Sequence, residues 1–190
     1  MGNQALERLM AGNERYVNSK PLHPDQTIER RLELKIGQNP FAVVLGCADS
    51  RVPPEIVFDQ GLGDLFVVRV AGNVLNDMIL GSIEYACIHL QTPLVMVLGH
   101  SKCGAVGATV SGGHPDGHIS SLTSAIQPAL DKAKDQSGDV ISNTSKANAM
   151  MVAEELRTLG DHVSESMKPD RLTIVAAYYD IDNGCVEILA

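Results

Sequence analysis

Three side chains in this sequence combine the chemistry and the placement needed to hold one metal ion: Cys47, His100 and Cys103. Thiolate and imidazole are the ligands that zinc prefers, at ~2.0 to 2.3 Å. Cys47 ends the run Val44-Leu45-Gly46-Cys47, and His100 ends the similar run Val97-Leu98-Gly99-His100. Cys103 follows His100 by three positions, which brings both side chains to one ion on a turn or in the first turn of a helix. His-x-x-Cys by itself arises often by chance; a Cys at the end of a second apolar run gives it weight. Three protein ligands leave the fourth tetrahedral position open, the mark of a catalytic rather than a structural zinc site.

The segment Cys47-Ala48-Asp49-Ser50-Arg51-Val52-Pro53-Pro54 adds a carboxylate and a guanidinium beside the first ligand. An Asp two residues from a zinc thiolate could close the fourth position itself. Arg51 offers that carboxylate a bidentate partner and can hold it off the metal. So held, Asp49 could accept the hydrogen of water at the zinc and orient its oxygen. The plainer reading of the pair is a helix cap and a surface salt bridge. The remaining cysteines read as buried small hydrophobes, Cys87 in mid-helix and Cys185 in a terminal strand.

These residues need elements to place them. Four continuous apolar runs, Phe41–Leu45, Leu65–Val70, Leu94–Leu98 and Leu172–Ala177, have the composition of strands buried on both faces. Helical patterns separate them, at Met78–Leu90 and Ala147–Leu159. Such alternation predicts a mainly parallel sheet with right-handed crossovers. In it, residues just past the carboxyl ends of neighbouring strands converge on one crevice, where Cys47 and His100 stand. Asn183-Gly184 turns the chain into a short last strand, Val186–Leu189. Ahead of the first strand, helices at Gln4–Val17 and Thr27–Ile36, the latter capped by Thr27, form an arm over residues 1–37. Ser111–Ser121 reads as a Gly-rich loop in which His114 and His118 are solvated. Arg69, a charge within an apolar strand, is expected to satisfy a buried carboxylate or a subunit contact. The fold class is α/β: one three-layer αβα domain over residues 1–190.

Composition sets the outer limits. A chain of 190 residues, 44% hydrophobic, can bury a substantial core. A net charge of -8 with no Lys/Arg cluster excludes a nucleic-acid surface. No apolar run is long enough to span a bilayer, and Met1–Asn13 lacks a signal-peptide core, so a soluble cytoplasmic protein is expected.

Cys-Ala-Asp-Ser-Arg followed by His-Ser-Lys-Cys-Gly resembles the signature of beta-class carbonic anhydrases. Leu65-Phe66-Val67-Val68-Arg69-Val70-Ala71-Gly72-Asn73, Gly81-Ser82-Ile83-Glu84-Tyr85-Ala86 and Ala177-Tyr178-Tyr179-Asp180 carry the likeness along the chain. The resemblance implies a zinc enzyme that hydrates CO2 reversibly to bicarbonate and a proton through a zinc-bound hydroxide. It implies one zinc per chain on Cys47, His100 and Cys103, with Asp49 and Arg51 as catalytic dyad. Gln38 would donate to a bicarbonate oxygen, Phe66, Ala71 and Tyr85 would line an apolar pocket, and Gly104 would offer a backbone N–H. It also implies a homodimer or dimer of dimers, with N-terminal helices wrapped on the partner and pocket residues crossing the interface. The chain has no Trp, the residue used in an inhibitory bicarbonate pocket by some bacterial relatives. Ala71 replaces a bulkier apolar residue. Two alternatives stand beside this reading. One is hydrolysis of carbonyl sulfide or carbon disulfide on the same scaffold; the other is a non-enzymatic zinc or thiol sensor. A sensor would call for a fourth ligand or a nearby resolving cysteine. Dinucleotide binding is excluded, since no Gly-x-Gly-x-x-Gly follows the first strand.

Overall fold

The computed structural model describes residues 1–112, 116–166 and 172–190, with the backbone alone for 159–166. Five strands form one sheet: β1 (Ala42–Gly46), β2 (Leu65–Arg69), β3 (Leu94–His100), β4 (Thr173–Tyr179) and β5 (Val186–Ile188). Their order is β2-β1-β3-β4-β5. The first four are parallel, and β5 runs antiparallel to β4. That reversal follows from the connection, a tight turn in which the Gly184 N–H donates to the Asp180 carbonyl at 2.8 Å. Too short for a crossover helix, it can only fold back as a hairpin.

Every residue of β1 and β3 is buried, because helices cover both faces of the sheet. Val43, Leu45, Val95 and Val97 point to one face, under α4 (Asp77–Ile88) and α7 (Val140–Ser166). Val44, Leu94, Met96 and Leu98 point to the other, under α1 (Gly2–Val17) and α3 (Pro54–Val57). The period-2 alternation of the pleat thus serves two cores, and continuous apolar strands result.

The arm divides in two. α1 is seated on the sheet of its own chain through Ala5 and Leu9. Asn13 ties it down further, donating to the carbonyls of Val57 and Gly184 and accepting from the Val186 N–H. α2 (Ile28–Glu33) starts at Thr27, whose side chain accepts from the Arg30 N–H at 3.1 Å, and it buries none of its residues.

Four features differ from the sequence reading. α5 (Gly104–Ser111) and α6 (Ile119–Ala133) were not anticipated, so the loop after Ser111 is shorter than expected. His118 is exposed at the α6 start, and His114 lies outside the described residues. α7 begins at Val140 rather than Ala147, since the Asp139 carboxylate accepts the Ser142 N–H at 2.8 Å and caps it. Cys185 is exposed, not buried: it precedes β5, whose first residue, Val186, turns inward. Cys87 is fully buried in α4, as expected. Among the described residues no helix is long and apolar enough to cross a membrane.

Candidate metal centre

The carboxyl ends of β1 and β3 deliver the three ligands to one point. Cys47 directly follows β1, His100 is the last residue of β3, and Cys103 is the N-cap of α5. Their ligand atoms lie within 4.8 Å of one another, and all three residues are buried. The two Sγ atoms are 3.9 Å apart. The His100 ring is fixed by its Nδ1, 2.8 Å from the Ser101 carbonyl. That bond places the ring proton on Nδ1 and leaves the Nε2 lone pair free. Nε2 is buried without a hydrogen-bond partner. An orphaned buried acceptor beside two thiols is the donor set that a zinc ion satisfies. Among the described residues no fourth His, Cys, Asp or Glu joins the cluster.

The thiols have unequal surroundings. The Cys103 hydrogen bond pulls the Cys47 thiol downward against burial, with His100 and the Gly72 N–H adding to it. The same bond, burial and the charge on Cys47 push Cys103 upward. A cation between the two sulfurs would favour the thiolate form of both.

Asp49 and Arg51 meet as anticipated. Arg51 Nε and a terminal nitrogen donate to the two carboxylate oxygens at 2.9 and 2.7 Å, and the Arg51 backbone N–H adds a third bond at 2.9 Å. These bonds hold the Asp49 carboxyl at about 2. Arg51 also donates to the Lys102 carbonyl at 3.1 Å, bridging the two ligand loops.

Among the described residues Arg69 binds no carboxylate within its own chain and instead donates to the carbonyls of Cys47 and Asp49, at 2.8 and 2.6 Å. The register that sets Gly46 opposite Arg69 makes this reach possible. Its signal, a charge at the end of an apolar strand, was visible; its partner was not. Gly72 and Ser145 were missed altogether. The Gly72 N–H donates to Cys47 Sγ at 3.3 Å, and Ser145 Oγ donates to the His100 carbonyl at 2.8 Å.

The remaining pocket candidates separate. Ala71 sits in the turn that carries Gly72, and Gly104 follows Cys103, exposed to open space. Beside Gly104 a groove of about 670 Å³ opens, bordered by Lys102, Lys146 and Tyr178. Gln38, Phe66 and Tyr85 are not brought to the cluster within one chain. Phe66 pairs with Val43, four residues before Cys47, or roughly 13 Å along the sheet. Tyr85 stacks near it, ring centroids 6.3 Å apart, and is 47% exposed. Gln38 is exposed ahead of β1, at the opposite end of the strand from Cys47.

Comparison with known proteins agrees with this architecture. A family model described as carbonic anhydrase matches residues 42–186. Carbonic anhydrase 2 of Mycobacterium tuberculosis is 40% identical over 184 residues, covering 95% of this chain and 89% of its own. A carbonic anhydrase of Mycolicibacterium smegmatis is 40% identical over 188 residues, 97% of this chain and 91% of its own. The solved β-carbonic anhydrase CafA of Aspergillus fumigatus superposes with a TM-score of 0.74 at 29% identity, covering 85% of this chain and 80% of that one. A tetrameric β-carbonic anhydrase from Sordaria macrospora shares the fold, with a TM-score of 0.77 at 22% identity over 84% of this chain and 85% of that one. Sequence match, likeness of fold and the convergence of two strand ends on a Cys-His-Cys cluster all lead to one assignment: this chain belongs to the beta class of the carbonic anhydrase family.

Proposed function

We propose that the chain holds one zinc ion on Cys47, His100 and Cys103 and there converts CO2 and water reversibly to bicarbonate and a proton. The observation that carries this is the buried, unpartnered His100 Nε2 within 4.8 Å of two thiol sulfurs. A bound zinc ion supplies the nucleophile, since it lowers the pKa of water from 15.7 to about 7.

The chain's own residues do the rest. Asp49, kept anionic by Arg51, accepts a hydrogen from the attacking water and so directs an oxygen lone pair toward CO2. Arg51 keeps the same carboxylate from becoming a fourth ligand. Gly104 leaves the opening beside Cys103 clear and presents its N–H toward product oxygen. CO2 carries no charge, so apolar walls suit it.

Those walls come in part from a second copy of the chain. Gln38, Phe66 and Tyr85 cannot reach their own cluster, yet each retains exposed surface. Next to Gln38 runs an apolar stripe, Ile28, Leu32 and Ile36, exposed by 62%, 48% and 98%. A helix bearing such a stripe gains from a partner. A homodimer, or a dimer of dimers, would lay it down and bring Gln38, Phe66 and Tyr85 to the neighbouring metal.

Stopped-flow CO2 hydration, read with a pH indicator on zinc-quantified protein, tests the reading. Fast hydration that disappears on metal removal is expected. No hydration at any pH, with one zinc per chain bound, would overturn it and turn attention to carbonyl sulfide.

A further inference from the structure

The face of α7 that meets the sheet is apolar at Ala149, Val152, Ala153 and Leu156. One turn earlier it carries Thr144, Ser145 and Asn148, none more than 1% exposed. Polar groups in such a place are costly unless bonded, and packing alone does not call for them. Two of the three bond to the backbone that surrounds the candidate metal centre. Ser145 Oγ donates to the His100 carbonyl at 2.8 Å and accepts the His100 N–H at 3.3 Å. Asn148 Nδ2 donates to the Gly72 carbonyl at 2.9 Å.

That carbonyl lies within an unusual turn. Gly72 and Asn73 are consecutive left-handed residues, with φ of +74° and +42°. At φ +74° any side chain at position 72 would be strained, and a Cβ there would also stand 2.7 Å from Ile126 Cδ1, which would have to shift. Asn tolerates the left-handed region better than other residues with a side chain, yet two such residues in succession are a minor conformation that neighbours help to hold. Asn148 grips the peptide between the two. The N–H on the other side of Gly72 is the one that meets Cys47 Sγ at 3.3 Å.

We propose that Asn148 is a positioning residue of the metal centre. It fixes the Gly72–Asn73 turn so that the Gly72 N–H donates to the Cys47 sulfur. An N–H bonded to a thiolate withdraws charge from it, which leaves a coordinated ion more electrophilic. The inference rests on the reading of Cys47 as a zinc ligand and adds a residue that touches neither metal nor substrate. Helix α7 thereby holds both halves of the cluster, Ser145 by the His100 backbone and Asn148 by way of Gly72.

Cobalt(II) substituted into the full-length protein gives a readout separate from turnover, the near-ultraviolet thiolate-to-cobalt charge-transfer band. Asn148→Leu keeps side-chain volume and removes the donor; Asn148→Ala serves if the first variant does not fold. Thr144→Val, one turn earlier on the same helix face and without a hydrogen bond to the Gly72 turn, is the control. In the Asn148 variants the band is expected at longer wavelength, with metal loss to a chromophoric chelator faster by on the order of tenfold. Thr144→Val should change neither. An unmoved band and unchanged metal loss in folded Asn148 variants would overturn the inference and leave the zinc reading standing. A parent protein that takes up cobalt without a thiolate band would remove Cys47 as a ligand, and the inference with it.

Discussion

Arg51 donates to both oxygens of Asp49 and to the carbonyl of Lys102, so one guanidinium ties the carboxylate to the loop that bears His100 and Cys103. Its removal should therefore act through Asp49. In Arg51→Ala the freed carboxylate can turn to the metal, and hydration should fall at least as far as in Asp49→Ala. Asp49→Ala itself should retain one zinc per chain and lose about 100-fold in CO2 hydration, measured by stopped flow. Full activity in that variant would remove Asp49 from the chemistry. Cys47→Ser should be isolated without stoichiometric zinc, as elemental analysis would report. These residues were legible in the sequence because their positions follow from strand ends, and strand ends follow from apolar runs. Gly72 and Asn148 were not, since a backbone N–H to sulfur and an amide reaching across from α7 leave no spacing in the chain.

Between α1 and the end of α3, Arg15 and Asp59 join two elements far apart in sequence. Arg15 Nε donates to Asp59 at 2.6 Å, and the backbone N–H groups of Leu22 and His23 donate to the same carboxylate at 3.0 Å each. Burial pushes the Asp59 carboxyl up, but Leu22, Arg15 and His23 together outweigh it and hold it below the usual range. A carboxyl with a depressed folded value stabilises the fold above its unfolded value of about 3.9, and that contribution fades as pH falls further. Urea midpoints should thus drop on acidification from about pH 5 to 3. Asp59→Asn should flatten that dependence and cost roughly 2 to 4 kcal/mol at neutral pH, because Arg15 and a backbone N–H lose their acceptor. At this scale the strands were readable from continuous Val, Ile and Leu, which only doubly covered strands tolerate. α5 and α6 were not: Gly-Ala-Val-Gly-Ala-Thr-Val-Ser is poor in helix formers, and α6 carries Pro128 in its interior. Tertiary packing of Val106 and Ile126 over the metal loops overrides both signals.

For the molecule as a whole, the separation of Gln38, Phe66 and Tyr85 from Cys47 is the feature with the widest reach. If these residues line the pocket as proposed, a complete site needs two chains, and activity should depend on assembly. Ile36→Asp changes a residue that is 98% exposed, so the fold should be unaffected. Sedimentation should nevertheless report single chains, and hydration should fall with them. Assembly that persists in this variant would place the interface elsewhere. The layer architecture could be anticipated because each crossover has one allowed hand. The proposed cross-chain pocket rests on the family resemblance and on the separation of these residues from Cys47, since periodicity describes only which face of an element is apolar, never whose core it enters.

β2 lies at the edge of the sheet, bonded among the described residues to β1 alone. Arg69 ends this strand and Gly72 follows it, and between them they supply the bonds to the Cys47 carbonyl and sulfur. Edge strands are drawn from the segments that open most readily in the native state. Each such opening would slacken the first ligand loop, so the residence time of an ion bound as proposed would be coupled to fraying of the sheet. Metal exchange should then keep pace with amide deuteration along β2, and a neighbour that covers this edge would slow both.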